Sequence, residues 1–164
     1  AHLADTSDAV RGSAAYLLGR TRASLGTRAL LARTRDPHPW VRQYAVRGLA
    51  RPAADSARLA ADTVALALLA ALRDADPGVR VNALVSLATW RDSAHAAAIL
   101  PLLRDRIPNV RLQAVTALAA GGGPQAQAAL ERLVDDPREP LVLRREALVG
   151  LIGRDQAGAL RRLA

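Results

Sequence analysis

Few side chains in this sequence have the types and spacing that catalysis requires. The histidines His2, His38 and His95 are isolated, and none has a second histidine or a carboxylate at the spacing of a metal site. The chain has no cysteine, which excludes thiolate catalysis and disulfides. The glycine run at 121–123 follows a predicted helix and lacks the lysine of a phosphate-binding loop. We therefore expect no catalytic residue, no metal and no cofactor, and predict that this segment is not an enzyme.

A set of arginines could serve binding instead. Guanidinium groups near predicted helix ends could hold an acidic partner, or they could simply complement the helix dipole, which is worth about 0.3–1 kcal/mol each. The members of this set are Arg33, Arg35, Arg73, Arg104 and Arg132.

A second candidate binding feature is Trp40, which follows Pro39 in a predicted turn and has Tyr44 one helical turn further on. An exposed tryptophan beside Arg42 and Arg47 could anchor a partner at an interface. The same ring could equally hold two neighbouring turns of this chain together. The sequence leaves both interpretations of Trp40 and Tyr44 open.

A phrase that recurs five times predicts the elements that position these residues. It reads as an Asp, a turn that usually contains Pro, then Val-Arg, Ala and Leu. Its anchor valine or leucine stands at positions 10, 41, 79, 110 and 143, in steps of 31, 38, 31 and 33 residues. A period near 31 residues fits two short helices and two turns. We predict one continuous array over 1–164, with repeats at approximately 5–35, 36–73, 74–104, 105–134 and 135–164.

Each repeat is predicted to be a pair of helices. In the third repeat, Asp76 is a suitable N-cap and Pro77 suits the first helical position. Apolar residues at 0, +4, +5 and +8 from Val79 lie on one face of that helix. Asp92, Gly123 and Asp155 are predicted starts of second helices. Because neither helix can bury its apolar face alone, adjacent pairs must stack, which predicts an all-α fold.

The motif Asp-x-x-Pro-x-Val-Arg-x-x-Ala resembles HEAT repeats, in particular the short bacterial type also found in phycobilisome-lyase-like proteins. The resemblance covers nearly the whole chain and implies a right-handed α-solenoid, an armadillo-like superhelix of about five HEAT-type helical hairpins whose second helices line the concave surface. It also implies that the motif Asp and Arg bond within and between repeats as a ladder. That ladder would comprise Asp5, Asp36, Asp74, Asp105 and Asp135 with Arg11, Arg42, Arg80, Arg111 and Arg144.

The second repeat carries seven residues more than the 31-residue period. They fall within 51–61, between the two predicted helices, and Asp62 is then predicted to cap the second helix. The insert could form an extra turn capped by Asp55 or extend the second helix backwards by two turns. Insertions in repeat arrays lie on one rim and often carry differences in binding, although neutral length drift explains this one as well.

The amino-acid composition indicates which kind of partner and which cellular compartment to expect. All 23 basic residues are arginine and the net charge is +8, so an acidic partner is expected. An Ala- and Arg-rich chain without lysine predicts a high-GC, bacterial genome. No apolar run reaches the ~18 residues of a membrane span, and the N-terminus does not resemble a signal peptide. We expect a soluble protein, with the cytoplasm favoured over the periplasm, that is monomeric or joined to further domains as a segment of a longer chain.

Three functions follow from this pattern. The leading prediction is a non-catalytic protein–protein interaction scaffold, as a binding module of a larger protein that could carry an enzyme domain elsewhere. The alternative is nucleic-acid binding through an Arg-rich concave face. The third is a lyase- or chaperone-type accessory for cofactor attachment, which the resemblance implies but which a chain with no nucleophile and few aromatics disfavours. The sequence does not identify the partner.

Overall fold

A computed structural model describes residues 2–21, 24–50 and 58–153 of the chain. The regular structure of these residues is helical throughout, with nine α-helices, three short 3₁₀ helices and no strand. The chain divides into two compact units, Ala1–Trp90 and Arg91–Ala164.

The first unit contains five α-helices after a 3₁₀ turn at His2–Ala4. Helix α3 packs between α1 and α5, and α2 and α4 pack against α3, so the unit has a layer of first helices and a layer of second helices. The five helices are α1 (Asp8–Thr21), α2 (Ser24–Arg33), α3 (Pro39–Gly48), α4 (Arg58–Ala71) and α5 (Pro77–Trp90).

The second unit repeats the same plan. Helix α7 packs against α9, and α8 packs against both. Its described α-helices are α6 (Ala96–Ile99), α7 (Pro108–Gly121), α8 (Pro124–Asp135) and α9 (Leu141–Ile152). The rest of the predicted fifth repeat, 154–164, lies outside the described residues, and the single array over 1–164 remains a prediction.

Proline at the first helical position begins three of the first helices, because its fixed φ suits a helix start and its missing N–H is not needed there. These prolines are Pro39, Pro77 and Pro108. Only before α5 does the preceding side chain cap the helix: Asp76 Oδ1 accepts a hydrogen bond of 3.0 Å from the Val79 amide. His38 and Ile107, at the same position, make no side-chain cap.

The recurring apolar residues occupy equivalent places in the core. The anchor residue is buried in four repeats, and the alanine four residues later is fully buried in the same four. The anchors are Val41, Val79, Val110 and Leu143, and the alanines are Ala45, Ala83, Ala114 and Ala147. In the first repeat the anchor Val10 is 37% exposed. The 31-residue period therefore corresponds to a repeated packing position.

The second helices vary more than the first. Helix α4 begins at Arg58, so Asp62 lies inside the helix and the prediction that it caps α4 is wrong. The part of the insert at 51–57, including Asp55, lies outside the described residues. Because α4 starts four residues before Asp62, this helix extends backwards by about one turn.

In the third repeat the second helix is interrupted. Asp92 begins it as predicted, since its side chain accepts the Ala94 amide at 2.9 Å. The chain then passes through a 3₁₀ turn (Ser93–His95), α6 and a second 3₁₀ turn (Leu100–Arg104). Pro101 lies at the start of that second turn. Without an N–H, proline cannot continue the α-helical ladder of hydrogen bonds, so the segment tightens instead.

The glycine run connects α7 and α8 as a helix–helix turn. Gly122 has φ +74° and Gly123 has φ +85°, values at which a residue with a side chain is strained. Gly123 is the N-cap residue of α8 and Pro124 begins that helix. The run therefore serves backbone geometry, as the sequence indicated.

Candidate functional site

The motif aspartate closes the same turn in all five repeats. In each case its Oδ1 accepts a hydrogen bond of 2.9–3.0 Å from the amide two residues on. These aspartates are Asp5, Asp36, Asp74, Asp105 and Asp136. In the fifth repeat the turn-closing residue is thus Asp136, one position after the predicted Asp135, which is the last residue of α8.

Two bidentate ion pairs join consecutive repeats in the first unit. Arg11 donates from Nε and Nη2 to the carboxylate of Asp36 at 2.8 and 3.0 Å. Arg42 donates in the same way to Asp74 at 2.8 and 2.9 Å. The parallel fork of a guanidinium matches a carboxylate in both distance and direction, which makes these pairs geometrically specific. The structure therefore brings together the predicted ladder residues of the first three turns.

In the first four repeats, Nη1 of the motif arginine donates back to the turn before its own helix. Nη1 of Arg11 donates to the carbonyls of Asp5 and Thr6 at 3.0 and 2.9 Å. Equivalent bonds recur in the next three repeats. Nη1 of Arg42 donates to the carbonyls of Asp36 and Pro37, and Nη1 of Arg80 donates to those of Asp74 and Ala75. Nη1 of Arg111 donates to the carbonyl of Asp105. Each arginine thus fixes the turn before its helix.

Arg144 departs from this pattern. Its Nε donates to the Val134 carbonyl at 2.9 Å. From Asp136 to Arg144 the chain has two more residues than from Asp36 to Arg42, so the guanidinium reaches past its own turn to the end of α8.

The ion pairs set the protonation of the buried carboxylates. Burial by itself would raise the pKa of Asp36, but the hydrogen bonds from Arg11 and the His38 amide, with the charges of Arg11 and Arg33, hold that pKa below its ordinary value. The pKa of Asp74 is lowered for the same reasons, by Arg42 and the Asp76 amide. The carboxylate hydrogen bonds raise the pKa of Arg11 and Arg42. Both pairs are therefore ionised at neutral pH.

A groove of about 700 Å³ lies between the second helices α2 and α4. Its floor is made of small and apolar side chains, among them Leu31, Ala67 and Ala70. Leu66 on its wall is 67% exposed, which is unusual for a leucine in a helix whose neighbours Val64 and Leu68 are buried. The groove is therefore an apolar surface open to solvent.

The predicted arginine set is divided between the two units. Arg33 is held by Asp36, with Nη1 3.4 Å from Oδ2. Arg35 is exposed and lines the groove between α2 and α4. Arg73 is exposed in the first unit, and Arg104 and Arg132 are exposed in the second. Arg35 is thus the member of the set that lines the groove, and partner contact by all five arginines remains a prediction.

Trp40 packs within the first unit. Its ring lies against Gly12 of α1, where a Cβ would collide with it, and it meets Tyr44 edge-to-face with centroids 5.1 Å apart. Tyr44 meets Tyr16 in the same manner at 5.2 Å. These contacts match the interpretation in which Trp40 joins neighbouring repeats. A role for Trp40 and Tyr44 in partner binding remains a prediction.

Sequence reasoning missed Leu66 and the groove around it. The available signal was its register: Val64 and Leu68 are four residues apart and share the buried face, so Leu66 between them must point elsewhere. The sequence showed an apolar residue off the buried face, but it did not show that α2 stands across from it.

Among the described residues, no three His, Cys, Asp or Glu side chains cluster closely enough to hold a metal ion. The helices of this described part are also too short or too polar to cross a membrane.

Comparison with known proteins identifies the family. The family model for HEAT repeats matches residues 65–161, more than half of the chain. This chain therefore belongs to the HEAT-repeat family. No curated protein matches it significantly.

Solved structures share the fold. The complex of CpcE and CpcF of phycocyanin lyase from Nostoc sp. PCC7120 contains a chain that matches 99% of this one with a TM-score of 0.76 and 22% identity. An engineered protein matches 99% with a TM-score of 0.67 and 18% identity, covering 85% of its own length. Computationally designed armadillo repeat proteins for modular peptide recognition match 94% of this chain and 79% of theirs, with a TM-score of 0.62 and 19% identity.

These likenesses show the fold alone, which is an all-α solenoid of helical hairpins. The chain spans 65% of the length of the phycocyanin lyase chain that it matches.

Proposed function

We propose that this chain is a protein-binding HEAT module that holds an acidic segment of a partner protein in the groove between α2 and α4. The observation that carries the proposal is the open groove of about 700 Å³ with the exposed Leu66 on its wall and Arg35 beside it. An apolar side chain of the partner would lie against Leu66 and the alanines of the floor. An acidic side chain of the partner would pair with Arg35.

The shape of the groove suits an extended segment. Ala67 and Ala70 leave room between the two helices because their side chains are small, and Leu31 and Leu66 supply apolar contact area. Thr34 lies in the same lining, and because its hydroxyl donates to the Leu31 carbonyl at 2.8 Å, its oxygen can accept a hydrogen bond from a partner. A few polar groups in an apolar groove are the usual composition of a binding site.

The charge at the groove favours an acidic segment. Arg42 and Asp74, which also line it, are paired with each other and contribute no net charge. Arg35 makes no ion pair with any described residue. Since the whole chain carries +8, an acidic partner is also attracted from a distance.

Two ion pairs that fix the helices around the groove also support the proposal. The Arg42–Asp74 pair ties the turn after α4 to helix α3, and the Arg11–Asp36 pair ties the turn after α2 to helix α1. A groove whose two walls are fixed before binding loses less conformational entropy when a partner enters.

The test is selection of peptides from a random display library on the immobilised chain, followed by anisotropy titration of the enriched peptides. We expect peptides that combine Asp or Glu with Leu, Ile or Val. Filling the groove by Ala67→Trp is expected to weaken their binding at least about tenfold, which corresponds to about 1.4 kcal/mol. Reversing the charge by Arg35→Glu is expected to have a similar effect.

The matched control is Arg106→Glu, the same charge change at an exposed turn of the second unit. It should leave affinity within about twofold, a difference of about 0.4 kcal/mol. Circular dichroism melting of each variant shows that it is folded. Equal binding by wild type, Ala67→Trp and Arg35→Glu would place the peptide elsewhere and remove the proposal.

Binding experiments with the same chain and the selected peptides also distinguish two other functions from peptide binding. Nucleic-acid binding predicts that duplex DNA binds more tightly than any selected peptide and that its affinity falls by about 10³ or more between 50 and 200 mM salt. A role in cofactor attachment rests on the likeness to a phycocyanin lyase chain, which at 22% identity shows the fold alone. We place both below peptide binding because the groove is largely apolar.

A further inference from the structure

A second cavity, distinct from the groove, lies among the ends of the first helices in the first unit. It has a volume of about 450 Å³ and is lined by residues of α1 to α5. Leu30, Leu49 and Val64, all buried, contribute to its floor. A cavity of this size falls within the range of small-molecule sites, which are mostly apolar with a few polar groups.

The rim of this cavity is aromatic and cationic. Both tyrosines of the chain, Tyr16 and Tyr44, line it, with their rings edge-to-face at 5.2 Å. Arg20 and Arg47 line it too, and both are exposed. No carboxylate occurs among the described residues of the lining, so the local charge is positive.

The two arginines differ in how they are held. Arg20 donates from Nη1 to the Tyr16 hydroxyl at 2.9 Å, and its guanidinium carbon stands 5.7 Å from the centre of the Tyr16 ring. Arg47 makes no side-chain hydrogen bond or ion pair with any described residue. One guanidinium is thus positioned in advance, and the other can turn toward an incoming anion.

We propose that this cavity binds an amphipathic anion, namely an aromatic or similarly apolar group that carries one carboxylate or sulfonate. The apolar group lies on Leu30, Leu49 and Val64 against the edges of the tyrosine rings. The anionic group lies at the rim, where it accepts charge-assisted hydrogen bonds from the guanidinium groups of Arg20 and Arg47. This site is separate from the groove between α2 and α4 and does not depend on the proposed peptide function.

The probe is 8-anilinonaphthalene-1-sulfonate, an aromatic sulfonate whose fluorescence rises in apolar surroundings. We expect saturable binding with one site per chain by fluorescence and calorimetric titration. Arg47→Glu is expected to weaken it about tenfold, because one charge-assisted contact is replaced by repulsion. Naphthalene-1-carboxylate should compete with the probe, which extends the site to carboxylates.

The matched control is Arg28→Glu on α2, an exposed arginine outside the cavity lining, which should leave probe affinity unchanged. The neutral analogue N-phenyl-1-naphthylamine should bind wild type and Arg47→Glu alike, since it has no anion. Equal loss in Arg28→Glu and Arg47→Glu, or many weak sites per chain, would overturn the proposal. Because Arg47 is outside the groove, retention of peptide binding by Arg47→Glu keeps the two proposals distinguishable.

Discussion

At the scale of single residues, the carboxylate of Asp36 connects the first two repeats through several hydrogen bonds. Asp36 is 3% exposed and accepts hydrogen bonds from Arg11, Arg33 and the His38 amide. A buried acceptor that loses its charge leaves its donors without their best partner, and this costs more than an exposed ion pair contributes.

The first prediction is that Asp36→Asn lowers the free energy of unfolding by about 1–3 kcal/mol, the range for buried hydrogen bonds to charged groups. Urea denaturation at pH 7 measures it. Asp5→Asn is the matched control, since Asp5 closes the same turn through the Ser7 amide but makes no ion pair with a described arginine. Because Asn Oδ1 can still accept the Ser7 amide, a loss in Asp5→Asn as large as in Asp36→Asn would mean that the negative charge at the turn, and not the ion pair, is what stabilises.

The second prediction concerns pH. Asp36 and Asp74 have pKa values below the ordinary value, so their contribution to stability is present above the unfolded-state pKa of about 3.9 and is lost as pH falls through the lowered folded value. The double variant Asp36→Asn/Asp74→Asn should therefore be less stable than wild type at neutral pH and approach it in acid. A stability gap that stays constant down to about pH 2.5 would contradict this.

At the scale of the elements, contact between α1 and α3 depends on glycines. A Cβ on Gly19 would stand 2.7 Å from the Gly48 Cα, so neither position can carry a side chain without moving a backbone. Gly26, in contrast, has only the Leu18 side chain within 4 Å of a Cβ, at 3.4 Å or more, which is ordinary contact.

The third prediction follows from that difference. Gly19→Ala should lower the free energy of unfolding by about 1–3 kcal/mol, because overpacking separates the two helices. Gly26→Ala in α2 should raise it by about 0.5–1 kcal/mol, because alanine is the better helix former. Thermal and urea unfolding compare the two. If both substitutions stabilise the protein, α1 and α3 do not cross as closely as described.

The sequence predicted the first helices better than the second. Each first helix begins after an Asp turn and in three cases at a proline, so a local signal marks its start. The second helices have weaker signals. Asp62 falls inside α4 although an aspartate suits an N-cap, and Pro101 interrupts the segment before Arg104.

The sequence predicted only part of the candidate site, because only some of its residues belong to the repeat motif. The ladder aspartates and arginines carry a motif, so four of the five turn-closing aspartates could be predicted, and Asp136 was missed by one residue because the fifth turn is longer. Arg35 could be predicted as a binding residue because it lies near a helix end. Leu66 has no motif, and its role depends on which helix faces it, which a single sequence does not state.

At the scale of the whole molecule, the net charge of +8 acts on every partner. At low salt it attracts any polyanion, while contacts with the apolar groove are little affected by salt.

The fourth prediction is that a selected acidic peptide loses less than about tenfold in affinity between 50 and 200 mM salt, because few charges are paired on binding. Duplex DNA that contacted six or more phosphates would lose about 10³ or more over the same range. Anisotropy titrations of both ligands measure this. Tighter binding of DNA than of peptide at 200 mM salt would favour the nucleic-acid function instead.

The groove between α2 and α4 is the partner-binding surface that we propose. Hydrogen–deuterium exchange with and without a saturating selected peptide tests it directly, since amides of helices that a ligand covers or stiffens exchange more slowly. We expect slower exchange in residues 31–35 and 63–74 and no change in 108–121. Slower exchange confined to α7, with α2 and α4 unaffected, would contradict it.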